Sequence, residues 1–328
     1  MEDRELITDI QKFAVNDGPG FRTNVYLKGC PLRCVWCHNP ETILSNPEIY
    51  WKRRLCVQCG ACLEVCPNDA INPPVDPALS QKEGSPYRKI IRSRCDLCMR
   101  CVDACRYDAL EIAGKPMTVE EILEEVEKDR PFYENSGGGM TLSGGEPTAH
   151  LEFSDNLLSG ARDRFIHTCL DTNGFCGWSV MERLISNVDI VLFDLKHLNS
   201  EKHRALTGVN NEIILKNLSL LTKVGTEIWV RIPVVPDFSD DIEYHRDVAR
   251  FLVELPGKIA RVDLLPFHNY CQHKYDWLGI DWIYSGVEAV EPAFLEIHAE
   301  LYREKGLVAT VGGSGFETNV MIAGEEAR

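Results

Sequence analysis

The chain has 328 residues, 44% hydrophobic and 26% charged, which supports a large packed core and excludes a disordered polymer. A net charge of -15 weighs against a protein that grips nucleic-acid phosphates, and no run nears the roughly 18 consecutive apolar residues of a membrane span. Its 14 cysteines are too sparse for a disulfide scaffold, where the share exceeds about 8–10%.

The first residues, Met1-Glu2-Asp3-Arg4-Glu5, are charged and lead into no apolar stretch, so no secretory signal is expected and a cytoplasmic location is. Residues 22–28 alternate polar and apolar side chains and predict a strand. Directly after it, Cys30, Cys34 and Cys37 form C-x3-C-x2-C. Three thiolates on a cubane leave one iron open, and an open coordination position is where a metal site meets substrate.

Two further runs follow. Cys56, Cys59, Cys62 and Cys66 form C-x2-C-x2-C-x3-C, and Cys95, Cys98, Cys101 and Cys105 repeat it. This is the bacterial ferredoxin spacing, in which the fourth cysteine of each run ligates the other cluster. By that rule Cys56, Cys59, Cys62 and Cys105 hold one [4Fe–4S] cluster, and Cys95, Cys98, Cys101 and Cys66 hold a second. The flanks repeat too: Cys66-Pro67-Asn68-Asp69-Ala70-Ile71 parallels Cys105-Arg106-Tyr107-Asp108-Ala109-Leu110. Structural zinc and disulfides are the competing readings. Zinc sites seldom use a third cysteine so close to the second, and disulfides do not join such near neighbours in overlapping ways. Cys169, Cys176 and Cys271 stand apart and read as small buried hydrophobes.

Thr118-Val119-Glu120-Glu121 reads as a capping box opening a helix over about 119–129. A short strand then runs into Gly144-Gly145-Glu146-Pro147, where glycines permit close backbone approach and Glu146 can accept from an ammonium group. The competing reading is a glycine turn with a surface glutamate. Further strand signals at 165–170, 190–193, 228–236 and 262–268 each end in polar residues, with amphipathic helices at 178–186, 212–224 and 241–254 between them. Strand–helix alternation with polar strand ends describes a parallel barrel or part of one.

Taken in order, Asp-Gly-Pro-Gly (17–20), Gly-Cys-x3-Cys-x2-Cys-His-Asn (29–39), Gly-Gly-Glu-Pro (144–147), Asp-Thr-Asn-Gly (171–174), Asp-Leu-Lys (194–196), Val-Arg-x-Pro-Val-Val-Pro (230–236) and Leu-Leu-Pro-Phe-His (264–268) resemble the glycyl radical enzyme activating enzymes of the radical S-adenosylmethionine (SAM) superfamily. The pattern is similar to that of the pyruvate formate-lyase activating enzyme, with a two-cluster insert added. The resemblance implies an α/β fold: a partial (β/α)6-type TIM barrel over residues 1–50 and 115–328, with a bacterial-ferredoxin-like α+β domain inserted at 51–114. It implies three [4Fe–4S] clusters and SAM as cofactors. The cluster on Cys30, Cys34 and Cys37 would reduce SAM to a 5′-deoxyadenosyl radical, which takes hydrogen from a backbone glycine of a partner enzyme.

Residues implied to contact SAM are Trp36, Asn39, Gly144, Gly145, Glu146, Lys196, Arg231 and His268. Arg231 reads equally as a structural ion pair, Lys196 as a surface lysine and His268 as a buried histidine. Asp171, Thr172 and Asp194 would bind a monovalent cation or form an ordinary hydrogen-bond network. Asp17 and Gly18 would meet the partner's glycine loop or simply make a tight turn. The insert would relay electrons from a flavodoxin or ferredoxin, or be mainly structural. A monomer in an oxygen-poor cytosol is expected. The alternatives are a radical SAM enzyme for a small molecule or peptide, against which the Asp-Gly-Pro-Gly and Asp-Thr-Asn-Gly motifs argue, and an electron-transfer ferredoxin fused to an inert barrel.

Overall fold

The computed structural model describes residues 4–76, 78 and 87–315. Its strands, in chain order, are β1 (Arg4–Ala14), β2 (Arg22–Leu27), β3 (Glu48–Trp51), β4 (Leu110–Ala113), β5 (Lys115–Thr118), β6 (Gly139–Gly144), β7 (His167–Thr172), β8 (Ile190–Asp194), β9 (Glu227–Val234), β10 (Arg261–Pro266) and β11 (Ala309–Val311). Nine of them form one sheet in the order β11-β10-β9-β8-β7-β6-β2-β1-β5. From β2 to β11 every neighbouring pair is parallel; β1 is antiparallel to both β2 and β5. No pairing closes the two edges among the described residues, so this is an open part-barrel with β1 and β5 extending one side.

The parallel strands are apolar on the face that helices cover. Val25, Leu142, Leu170, Val191, Val230 and Leu264 belong to the main core with helices such as Leu151–Asp163 and Glu212–Val224. Intervening residues face inward, where Cys169, Ile190, Leu192 and Trp229 form a small second cluster. Burial on both faces explains why these strands read as unbroken apolar runs. The helix Val119–Glu127 opens on the expected box: the Thr118 Oγ1 accepts from Glu121 N at 3.1 Å and Thr118 N donates to Glu121 Oε2 at 2.8 Å. The strand β1 has no counterpart in the sequence reading.

The insert forms its own small sheet, β3 paired antiparallel with β4. Its first strand begins at Glu48, ahead of the expected boundary at residue 51. The duplication read from the cysteines extends to the backbone. Gln58 and Leu97, Gly60 and Met99, and Asp69 and Asp108 occupy matching places in the two runs, and all six have positive φ. The short helices Ala61–Glu64 and Arg100–Asp103 match likewise. Ile49, Trp51, Ile71, Ile90 and Leu110 form the core between the two halves.

The insert is seated by buried polar contacts. Lys28, 1% exposed, pairs with Glu48 Oε2 at 2.8 Å. Arg92 donates to Ile49 O at 2.6 Å and to Leu278 O at 2.9 Å, tying β3 to the helix Gln272–Leu278.

Candidate active site

A cleft of about 670 Å³ lies at the C-terminal ends of the parallel strands. It is lined by Cys30, Cys34 and Cys37 after β2, by the Gly144–Glu146 turn after β6, and by Asp171, Asp194, Arg231 and His268 from β7 to β10. Its volume falls within the roughly 300–1,000 Å³ of small-molecule sites. The structure thus brings together residues spread from 30 to 268, Trp36, Asn39, Thr172 and Lys196 included.

The three-cysteine loop is held from outside. Arg33 N and Val35 N donate to Thr207 O and Leu206 O at 2.7 and 3.0 Å. Tyr275 Oη donates to Cys37 O at 2.8 Å, and Trp282 Nε1 to Val35 O at 2.9 Å. Trp36 packs on Phe238 with ring centroids 4.7 Å apart. Burial pushes the Cys30 thiol up to about 12, with Glu146 adding to it, and burial raises Cys34 and Cys37 as well. Three buried thiols that resist ionisation become stable thiolates only with a strongly positive centre between them, which is what an iron–sulfur cluster provides. The Asn173 side-chain amide points at Cys30 Sγ, 3.7 Å away.

The Gly-Gly-Glu-Pro turn is zipped to the root of that loop. Gly145 N donates to Leu27 O at 2.8 Å and Glu146 N to Gly29 O at 2.9 Å. A Cβ on Gly144 would lie 2.1 Å from Leu27 N, and one on Gly145 would lie 2.2 Å from Gly29 O. Side chains are excluded by backbone there. Glu146 is fully buried rather than at the surface. Its Oε1 accepts from Thr148 N, Thr148 Oγ1 and Thr172 Oγ1 at 3.0, 2.8 and 2.7 Å, and its Oε2 from Asn173 N at 2.8 Å. The carboxylate therefore locks the β6 turn to the β7 turn, with most of its acceptor capacity used inside the chain.

The charged residues form a second network. Arg231 Nη1 lies 3.1 Å from Asp17 Oδ1 and 3.3 Å from Asp171 Oδ1. Lys196 Nζ pairs with Asp194 Oδ2 at 2.7 Å. Burial opposes both cations, yet the surrounding carboxylates, Asp171 for Arg231 and Asp194 for Lys196, outweigh it and hold both firmly protonated. Asp171 Oδ2 also accepts from Ser143 Oγ at 2.7 Å. Asp171, Thr172 and Asp194 thus each have a partner within the chain. Among the described residues no three His, Cys, Asp or Glu side chains converge to hold a single metal ion. Asp17 also accepts from Asn24 Nδ2 at 2.6 Å, and Gly18, at φ +117°, is buried with Cys169 Sγ and Arg22 where a Cβ would stand. The pair therefore makes a tight, inward-facing turn.

Among the described residues several buried polar atoms at the cleft have no hydrogen-bond partner: Arg231 Nε, His38 Nε2 and His268 Nδ1. Buried polar groups are rarely left so, and a ligand rich in donors and acceptors fits them. His38 stacks on His268 with centroids 4.1 Å apart. Burial, with His268 and Lys274, pulls the His38 imidazole down to about 3, so it enters the cleft neutral. Sequence reasoning assigned no role to His38, Asn173, Tyr275 or Trp282. The first two stood inside quoted motifs; nothing in the sequence marks the other two.

In the insert, a cavity is lined by Cys56, Cys59, Cys62 and Cys105 together with Trp51, Lys89 and Tyr107. The fourth cysteine of the second run therefore stands with three from the first. Cys101, buried, is pushed up to about 11 by burial, Cys95, Cys62 and Cys66. These thiols also fit cluster ligation, and Ala70 N donates to Cys66 Sγ at 3.3 Å. Cys169 is buried in the small inner cluster of the sheet, and Cys271 is buried against the three-cysteine loop, its Sγ 3.9 Å from Cys37 O.

Comparisons with known proteins agree with this geometry. Residues 92–249 match the family described as the Radical SAM superfamily, and residues 55–109 match the 4Fe-4S dicluster domain. The chain is 37% identical to the (2S)-3-sulfopropanediol dehydratase activating enzyme of Klebsiella oxytoca over 94% of this chain and 96% of that one. It is 40% identical to the benzylsuccinate synthase activating enzyme of Thauera aromatica, over 94% and 92%. It is 43% identical to the isethionate sulfite-lyase activating enzyme of Oleidesulfovibrio alaskensis, over 82% and 85%. Among solved structures, Streptococcus suis SuiB bound to precursor peptide SuiA superposes with a TM-score of 0.52 at 15% identity, over 90% of this chain and 49% of that one, a likeness of fold.

Proposed function

The chain belongs to the glycyl radical enzyme activating enzymes of the radical SAM superfamily, and from that premise we propose that its cleft binds SAM over a [4Fe–4S] cluster held by Cys30, Cys34 and Cys37. Such a cluster, when bound and reduced, supplies the electron that cleaves SAM and so yields the radical that takes hydrogen from a glycine of the partner. The observation that carries the reading is the convergence of the three thiols with the cationic and unpartnered polar atoms of one cleft.

The chain's own residues do the positioning. Gly144 and Gly145 bring bare backbone to the ligand, and Glu146 holds that turn in place. Arg231 and Lys196 present positive charge suited to a carboxylate. Asp17, Asp171 and Asp194 anchor those cations. His268 and Trp36 offer a neutral polar edge and an aromatic face to the nucleoside. The cleft walls exclude water around the reacting atoms.

In the insert, Cys56, Cys59, Cys62 and Cys105 would hold one cluster and Cys95, Cys98, Cys101 and Cys66 a second, and the pair would supply a path for electrons from a flavodoxin or ferredoxin. The partner is a glycyl radical enzyme, and the setting is an anaerobic cytosol.

The test is anaerobic reconstitution with iron and sulfide, then dithionite and SAM. The wild-type chain yields 5′-deoxyadenosine, and a glycyl radical signal forms by electron paramagnetic resonance (EPR) on the cognate partner. The Cys30→Ala/Cys34→Ala/Cys37→Ala chain yields neither. 5′-Deoxyadenosine from that triple variant would sink the assignment.

A further inference from the structure

Lys89 is 3% exposed, and its Nζ donates to Asn72 O at 3.1 Å. Among the described residues no carboxylate pairs with it, whereas Lys28 and Lys196 hold one at 2.8 and 2.7 Å. A buried ammonium without a counterion is strongly disfavoured, and two of its three donors have no partner among the described residues. Its position is fixed by the backbone: Asn72 N donates to Lys89 O at 2.9 Å, beside the bridge between Ile71 and Ile90. From there it lines the cavity of Cys56, Cys59, Cys62 and Cys105. Arg92 stands near Cys95 and Cys101 in the other half, where its Nη2 donates to Ile49 O and Leu278 O and its charge is retained.

We propose that Lys89 is the resident countercharge of the cluster on Cys56, Cys59, Cys62 and Cys105 and raises that cluster's reduction potential. The inference rests on the ligand reading above. Taking up one electron makes a thiolate-bound cluster more negative, and a fixed cation beside it favours that state.

The experiment uses the full reconstituted chain as wild type, Lys89→Gln and Lys89→Arg, with iron and sulfide assays and an EPR-monitored potentiometric titration. In the Gln variant at full iron, one reduction step falls by about tenfold or more in equilibrium constant, about 59 mV per tenfold for one electron. The other steps stay, and the Arg variant restores the wild-type value. A Gln variant that loses one cluster's iron while the Arg variant keeps it also supports the role of charge. Full iron with unmoved steps, or Gln and Arg variants behaving alike, overturns the inference alone. Wild-type iron sufficient for only one cluster overturns the ligand reading, and the inference with it.

Discussion

The loop of Cys30, Cys34 and Cys37 and the two runs of the insert use the same side chain in opposite ways. The loop is shaped by its surroundings: Thr207, Leu206, Tyr275 and Trp282 hold its backbone, and its thiols are walled in by strands and aromatic rings. The insert shapes itself around its cysteines. Of the eight described non-glycine residues with positive φ, five (Gln58, Asp69, Leu97, Met99 and Asp108) fall within it. Each such conformation costs about 1–2 kcal/mol, and its apolar core is small. A site can be pre-formed by a fold, or a fold can be bought by its site.

The largest expected effect of that contrast is on metal removal. In iron-free chain, amide hydrogen exchange across residues 52–110 should accelerate by about a thousandfold or more, while β6 to β10 stay within about tenfold of the loaded protein. Equal protection of both regions would break the comparison.

Glycine substitution sharpens it. Gly145→Ala places a methyl group against Gly29 O and should destabilise the loaded protein by about 3 kcal/mol. Gly60→Ala meets nothing within 4 Å and pays only for its φ of +86°, about 1 kcal/mol. Urea midpoints at constant slope measure both, and a reversed order would count against a backbone-zipped loop.

Thiol reactivity comes next. With iron removed, exposed Cys59 and Cys98 should react with iodoacetamide about tenfold or more faster at pH 8 than Cys30, whose thiol burial holds near 12. Peptide mass spectrometry over time reads each site separately, and matched rates would mean the loop is open.

The smallest effect is on pH. Burial pushes the Asp171 carboxyl up to about 6, against the pull of Arg231. A raised carboxyl contributes stability below its ordinary value near 4, and that contribution is lost as pH rises through about 6. Asp171→Asn should therefore gain on wild type as pH rises from 4 to 7. Parallel stability curves would exclude the titration.

What could be read without coordinates follows from the range of the interactions concerned. Cysteine spacing, the capping box at Thr118 and the helix over 212–224 are local, and each is written in consecutive residues. The apolar runs of β8 and β9 announce burial on both faces. The Asp17–Arg231–Asp171 network joins residues far apart in the chain, so the sequence left Arg231 between a ligand clamp and an ion pair. That Thr172 and Asn173 reach Glu146 from the next strand is likewise written in no local stretch of sequence. The stretch from Tyr275 to Trp282 has a short helix and little periodicity, yet it supports the cysteine loop.

The Lys28–Glu48 pair lies at the seam, one partner leading into the cysteine loop and the other opening the insert. Deleting either partner of such a pair leaves a stranded charge that costs about 3–5 kcal/mol. The insert is for this reason anchored at its root by a buried charge pair. Transplanting the module into a related barrel would succeed only if the recipient supplied a lysine at the graft point.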